Sequence, residues 1–418
     1  MQSGSTGRVI LAGAVGNILE WYDFAIYGYF AAAIGRTFFP SESAVAQLLA
    51  AFGIFAVGYL MRPIGGALVG QIGDRMGRST ALTVSVLAMA IPTFLVGVLP
   101  GYDVLGMLAA VLLTALRMFQ GLSVGGEYTT SIVFMVERAP PGRRGLMGAI
   151  GCCGAVGGIL LGSATGALLA ALMSPEALAA WGWRIPFLMG LVVGLAGFVL
   201  RRHTQDLPLT EDSPPASLVD TVRIYPSLLG RLAALSAFNA VGFYLLFVYI
   251  VSWMQLADGV APAQALEINT ISMAILLAVI VAAGWLTDRL GHKPVLLMAT
   301  GLGVVAAFPL FWLMHHPAPP LILLGQAGFV VAIGLFLGAQ PYFMVQATPP
   351  HIRCTAIALG YNVTLGIIGG LSPLVATWLV SRTQNDLSPA FLVMAAAAIS
   401  FLAVTRFRGT VRVTAAEA

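Results

Sequence analysis

The chain has 418 residues, 59% of them hydrophobic and only 9% charged. With a mean hydropathy of +0.91, it is not a soluble globule, which would carry roughly 25% charged residues. A formal charge of +4 would suggest nucleic acid in a soluble protein, but here the placement of the arginines accounts for it.

Long apolar runs separated by short polar breaks predict an all-α integral membrane protein with twelve transmembrane helices. In chain order the expected spans are about 9–35, 46–72, 79–99, 104–136, 146–172, 184–200, 229–256, 264–287, 294–314, 320–345, 354–380 and 389–405. The first run is too long for a cleavable signal peptide and leads directly into a second span. An even number of spans places both termini on one side. Of the 21 Lys and Arg residues, only Arg36, Arg184 and Arg382 fall on the opposite side, and Arg62 and Arg117 lie inside the membrane. The others, from Arg8, Arg75 and Arg78 to Arg406, Arg408 and Arg412, share the side of the termini. Positive-inside bias makes that side the cytosol. The expected location is therefore a bacterial-type inner membrane, with both termini and the 201–228 loop cytosolic. No nucleic-acid partner is expected. Cys152, Cys153 and Cys354 read as free thiols packing as small hydrophobes, with no metal site. The pair His315–His316 reads as a solvated turn, because adjacent side chains on a turn chelate poorly.

The two halves repeat. "FMVERAPPGRR" at 134–144 matches "FMVQATPPHIR" at 343–353, and "GQIGDRMGR" at 70–78 matches "GWLTDRLGHK" at 284–293. The two matches lie at nearly equal offsets, so the chain reads as a duplicated six-helix unit. Its expected parts are an N-terminal bundle, 1–200, a cytosolic linker, 201–228, and a C-terminal bundle, 229–418. Duplicated membrane halves point to a transporter that works about a midplane site.

"GDRMGR" after span 2, echoed after span 8, resembles the loop signature of the major facilitator superfamily. "NILEWYDF", "MRPIGG", "RMFQGLSVGGEY" and "WGWRIPF" together resemble its metabolite:proton symporter family, which includes proline/betaine, shikimate, 2-oxoglutarate and citrate carriers. The resemblance covers all twelve spans and implies two pseudo-symmetric six-helix bundles and proton-coupled uptake by alternating access. It also implies a cytosolic gate latch at the Asp-Arg loops, formed by Asp74, Arg75 and Arg78 and, as a weaker copy, Asp288 and Arg289. The family's longer members carry a C-terminal coiled-coil tail; this sequence stops at "RVTAAEA", so tail-based osmotic regulation is not expected. Independently of the resemblance, Gly70, Gly73 and Gly77 would permit a tight turn and Asp74 could cap a helix N-terminus.

The ionisable residues inside the spans are Glu20 and Asp23 in span 1, Arg62 in span 2, and Arg117 and Glu127 in span 4. Such residues are costly in a bilayer and are normally functional or paired. Glu20 and Asp23 are about 60° apart around a helix, on one face. Depth suggests Arg117 as the partner of Asp23 or Glu20, and Arg62 as the partner of Glu127. Three acids against two arginines leave one carboxylate over, and an uncompensated carboxylate in a low dielectric takes up a proton. The expected coupling residues are thus Asp23 first, then Glu20, with Glu127 as third candidate; the alternative is that these charges only fix helix packing. Arg117 could anchor a substrate carboxylate through its guanidinium fork, or serve as a permanent counter-ion to span 1. Arg62, Gln120, Tyr22 and Tyr27 complete the expected site in the first half. In the second half, Asn239, Tyr244 and Asn362, with Trp253, Gln326, Gln340 and Tyr361 nearby, could form a neutral wall that hydrogen-bonds or stacks on a quaternary ammonium. Trp253 and Tyr249 could equally be interface-belt residues.

Span 5, "GAIGCCGAVGGILLGSATG", is rich in small residues and reads as a close-packing helix. It lacks the proline of the drug-exporter antiport signature. The expected function is proton-coupled symport of a small organic metabolite, a zwitterion such as proline or betaine ahead of a carboxylate. No cofactor is expected beyond the proton, and the working unit is expected to be a monomer in the lipid bilayer. Alternatives are an uncoupled facilitator, an antiporter or exporter, and, more remotely, a membrane enzyme or receptor. No span holds a nucleophile with a base or a metal cluster.

Overall fold

The computed structural model describes residues 17–41, 44–201, 218–260, 262–316 and 318–407. The start of the first expected span, the 203–217 stretch of the linker and both chain termini lie outside the described residues, as do Arg8, Arg202, Arg408, Arg412 and the Arg78 side chain. The chain divides into two compact units, Met1–Phe134 with Gly154–Ser213, and Met135–Cys153 with Pro214–Ala418. Span 4 and span 5 each cross from one unit to the other.

Among the described residues ten helices are long and apolar enough to cross a membrane. The other two spans are 17–38, interrupted at Phe30, and Ile185–Arg201. Span 2 is not one continuous helix: Ala44–Leu60 and Arg62–Arg75 meet at Met61, with Pro63 in the first turn of the second piece. A proline there removes no donor that the new helix could use. Spans 3 to 5 are Arg78–Val98, Met107–Glu137 and Arg144–Leu172. Spans 8, 9, 10 and 12 are Pro262–Leu290, His292–Met314, Pro319–Ala347 and Ser388–Arg406.

Spans 7 and 11 depart from plain helices. Span 7 runs as Pro226–Phe243, a π-helical turn at Tyr244–Tyr249, and Ile250–Asp258. Span 11 runs as Arg353–Val363, a second π-helical turn at Thr364–Gly369, and Gly370–Thr383. The second turn has a cause in its own sequence. Pro373 lacks an N–H and its ring crowds the carbonyl four residues earlier, which is Gly369. That carbonyl accepts instead from the Ser372 hydroxyl, 2.8 Å away.

Close helix contacts in the first unit rest on glycine. A β-carbon on Gly65 would come within 1.9 Å of the Leu122 carbonyl oxygen, and one on Gly125 within 2.0 Å of the Arg62 carbonyl oxygen. Spans 2 and 4 therefore touch backbone to backbone. Span 5 uses its small residues similarly: a β-carbon on Gly158 would lie 2.4 Å from the Ile18 carbonyl oxygen of span 1. A dense aromatic cluster, with Tyr22, Tyr27, Phe38, Trp183 and Phe187 all buried, fills one end of this unit.

The Asp-Arg loops differ from the turn read in the sequence. Gly70, Gly73 and Asp74 all lie within the helix Arg62–Arg75, and Gly77 alone, at φ +102°, makes the turn. Its copy, Gly291, has φ +88°. Nor does Asp74 cap span 3, whose N-cap is Gly77 with no side-chain cap. The helix continues past the glycines because a four-residue reversal was unnecessary once one left-handed residue was available.

Gly125→Leu is expected to separate spans 2 and 4. Overpacking against backbone costs roughly 3 kcal/mol or more, so the thermal midpoint in detergent should fall by about 5–10 °C, or folded protein should be lost. Wild-type melting of this variant would show that the close approach is dispensable.

Candidate functional site: buried charges of the first unit

Span 1 carries Glu20 and Asp23 on one face, three residues apart, and both are buried. They meet different arginines. Asp23 Oδ2 pairs with Arg117 Nη1 at 2.6 Å. Its other oxygen accepts hydrogen bonds from Gln120 Nε2 at 2.8 Å and Thr93 Oγ1 at 3.0 Å. Arg117 Nη1 also donates to Gln120 Oε1 at 2.9 Å, and Gln120 Nε2 to Thr93 Oγ1 at 2.9 Å. Spans 1, 3 and 4 thus share a closed polar network. Arg117 lies over the Tyr27 ring at 4.1 Å, with Phe24 and Phe55 at 5.5 and 5.6 Å. Its Nε is buried and donates to no group among the described residues.

Glu20 is placed otherwise. Its Oε1 is 3.5 Å from Arg62 Nη2, beyond the range of a good hydrogen bond. Both carboxylate oxygens are buried and accept no hydrogen bond from the described residues. Arg62 in turn sits over Tyr59 at 5.3 Å and Trp21 at 5.9 Å. Glu127 is buried within electrostatic range of Glu20. Arg62, which depth alone matched to Glu127, therefore also has Glu20 as an ion-pair partner.

The tyrosines named from sequence serve the fold through their hydroxyls. Tyr22 donates to the Pro186 carbonyl at 3.0 Å and Tyr27 to the Ala51 carbonyl at 2.9 Å. Thr93 was missed by sequence reasoning. Its one signal is its position after Pro92, mid-helix in span 3, where a hydroxyl can back-bond to the Met89 carbonyl at 2.8 Å.

In the second unit the polar residues form a neutral network. Asn239 Nδ2 donates to Gln340 Oε1 at 3.3 Å and Tyr361 Oη at 3.1 Å, and Gln340 Nε2 donates to Ser236 Oγ at 3.2 Å. Asn362 instead bonds its own helix, at the Ala358 carbonyl. Trp253 is 1% exposed and donates to the Asp386 carbonyl at 2.8 Å, so it is a core residue and not a belt residue. Tyr249 is buried as well. His315 forms an ion pair with Asp258, while His316 Nδ1 accepts from the Ala318 N–H.

The repeated loop motifs meet in this unit. Asp288 accepts from the N–H groups of Gly145 and Leu146, at 2.6 and 2.9 Å. It therefore caps the helix that begins at Arg144, where a carboxylate also complements the helix dipole. Arg289 stacks on Trp285 at 3.9 Å. Arg353, the copy of Arg144, pairs with Glu137 at 2.7 Å and donates twice to the Thr348 carbonyl.

A duplicated all-helical membrane fold with buried ion pairs in one half defines a membrane transporter. The sequence profile of the Major Facilitator Superfamily matches residues 13–373, and the chain belongs to that superfamily. The chain is 34% identical, over 96% of its length and 83% of the relative's, to the glycine betaine/proline/ectoine/pipecolic acid transporter OusA of Dickeya dadantii strain 3937. It is 32% identical, with the same coverage, to the proline/betaine transporter of Escherichia coli K12. Among solved structures, the proton:xylose symporter XylE bound to 6-bromo-6-deoxy-D-glucose matches with a TM-score of 0.79 at 18% identity, covering 97% of this chain and 95% of that one. At that identity the likeness concerns the fold.

Asp288→Ala is expected to lower stability by about 1–2 kcal/mol, the usual value of a charged N-cap. The measurement is thermal unfolding in detergent. Asp288→Asn, which keeps one acceptor, should recover part of the loss. An unchanged midpoint for Asp288→Ala would remove the capping role.

Proposed function

We propose that the protein is a proton-coupled symporter that takes up a small zwitterion, proline or a betaine, across a bacterial-type inner membrane. Its working unit is a monomer with cytosolic termini, and the proton is its one coupling ion. The relatives support the substrate class: glycine betaine, proline, ectoine and pipecolic acid each combine a carboxylate with a cationic nitrogen. The Asp23–Arg117 pair is chemically suited to such a ligand. A zwitterion inserted there would give its carboxylate to Arg117 and its cationic end to Asp23 and the Phe24, Tyr27 and Phe55 rings. It would exchange one buried ion pair for two and leave no charge uncompensated. Arg62, Gln120, Tyr22 and Tyr27 complete the substrate-binding set of the first unit, and Asn239, Tyr244 and Asn362 make up a neutral set in the second.

The single observation that carries the coupling is the state of Glu20. Protonating Asp23 would remove the charge that Arg117 faces and disturb a carboxylate that accepts from Arg117 and Gln120, whereas Glu20 accepts no hydrogen bond from the described residues. Glu20 is therefore the first candidate for the proton, Asp23 the second and Glu127 the third. At the cytosolic loops, the Asp288 cap with Arg289, and Asp74 with Arg75 and Arg78, serve as the gate latch.

The test is lumenal pH in proteoliposomes holding a trapped pH dye, with proline, glycine betaine, shikimate, 2-oxoglutarate and citrate added separately. Wild type should acidify the lumen with proline or glycine betaine and not with citrate. Glu20→Gln should abolish acidification while leaving substrate binding within about threefold. Asp23→Asn should instead cost roughly 3–5 kcal/mol of stability, because it strands Arg117. Acidification preserved in Glu20→Gln moves the proton to Asp23 or Glu127. Equilibration of labelled substrate with no pH change would make the protein a facilitator.

A further inference from the structure

The two π-helical turns of the second unit have different origins. In span 11 the turn ends at Gly369, four residues before Pro373, and is set by that proline and by Ser372. In span 7 the turn Tyr244–Tyr249 is followed by "IVSWMQLAD", which holds no proline, and Gly242, two residues before the turn, packs closely against Ile333. Widening a helical turn by one residue mismatches its carbonyls and N–H groups, and inside a membrane those groups need partners from elsewhere.

The partners are two buried amides. Gln326 of span 10 donates from Nε2 to the Leu246 carbonyl at 3.2 Å, and Asn269 of span 8 donates from Nδ2 to the Phe247 carbonyl at 3.1 Å. The two carbonyls are consecutive and lie in the middle of the π-turn. The amides also bind each other, Gln326 Nε2 to Asn269 Oδ1 at 3.0 Å. Gln326 is fully buried and Asn269 nearly so. The first residue of the turn is Tyr244, whose ring lies against Gly369 so closely that a β-carbon there would come within 2.9 Å of Cε2. The two π-turns therefore touch through Tyr244.

We propose that Asn269 and Gln326 are positioning residues: as an amide clamp they hold span 7 in its π-turn and thereby seat the Tyr244 ring on Gly369. A relaxation to regular α-helix would rotate Pro226–Phe243 and Ile250–Asp258 relative to each other by about 100°, one residue's worth, and with Ile250–Asp258 held in place would turn Tyr244, at the start of the turn, off Gly369. The role of Tyr244 in substrate binding rests on the function proposed above; the clamp itself does not.

The test has two arms. Hydrogen–deuterium exchange on the purified full chain in lipid nanodiscs reads the clamp without any substrate. Gln326→Met and Asn269→Leu, each close in shape and lacking the donors, should change exchange in peptides covering 244–249 by at least about fivefold, with peptides of spans 9 and 12 unchanged. Should either variant fail to reach the membrane, Asn269→Ala and Gln326→Ala, which remove the donors with a smaller neutral side chain, make the same measurement. The second arm is proline and glycine betaine uptake: each clamp variant should raise KM by about tenfold with Vmax within about twofold. In a Tyr244→Ala background the same substitutions should have little further effect, since residues acting through one another are not additive. Wild-type exchange at 244–249 overturns the clamp. KM effects that add fully to Tyr244→Ala overturn the link to Tyr244. If wild type transports neither compound, the functional reading fails while the exchange arm still decides the clamp.

Discussion

A guanidinium cannot shed its proton under any condition a membrane protein meets, so an arginine inside the bilayer must be met where it stands. Arg62 and Arg117 are both buried, at 0% and 1% exposure. Each is met twice over, by a carboxylate from span 1 and by aromatic faces from spans 1 and 2. Much of the first unit follows from that requirement. Span 1 must present Glu20 and Asp23 on one face together with Trp21, Phe24 and Tyr27 around them. Spans 2 and 4 must lie close enough for both arginines to reach span 1, and Gly65, Gly121 and Gly125 permit this because no side chain fits between the backbones.

The second unit answers a different constraint. Its buried polar residues are amides and hydroxyls, which can each donate and accept, so they satisfy one another without fixed charge. Asn239, Gln340, Tyr361 and Ser236 link spans 7, 10 and 11, and Asn269 and Gln326 link spans 8 and 10 to the backbone of span 7. A hydrogen bond between neutral groups costs little to exchange for another of the same kind, whereas separating an ion pair in a low dielectric costs several kcal/mol. The duplicated sequence therefore yields one half with a committed charge network and another whose contacts can be exchanged.

How much of this was legible in the sequence depended on what a linear pattern encodes. Hydropathy gave the spans, and depth matched Arg117 to span 1 without choosing between Asp23 and Glu20. What failed was whatever needed a third helix. Thr93 and Gln120 reach Asp23 because spans 3 and 4 converge there, and no periodicity in either span says so. The difference between Glu20 and Asp23 is a count of donors around each carboxylate, and two acids three residues apart look alike until those donors are placed. Trp253 read as a possible belt residue because it lies near a span end; its indole N–H is in fact taken by Asp386, a residue more than 100 positions away. The π-turn of span 11 was in principle readable from Pro373, but that of span 7 was not, since the amides proposed to hold it lie on other helices.

The charge count of the first unit also bears on how a cycle could run. With every group ionised, Glu20, Asp23 and Glu127 outnumber Arg62 and Arg117 by one. Protonation of one acid makes the set neutral, and a zwitterion adds nothing to it. A loaded, protonated site can then change access without moving net charge through the membrane field, while the empty, deprotonated site carries one negative charge back. Each 100 mV acts on that charge with about 2.3 kcal/mol. On the proposed reading, the membrane potential therefore acts mainly on the return of the empty carrier, and the proton gradient acts on loading. With a singly anionic substrate the loaded site would also carry one negative charge, the two half-cycles would cancel, and the potential would do no net work on uptake. The balance of three acids against two arginines thus favours a zwitterion on electrical grounds, independently of how well its shape fits.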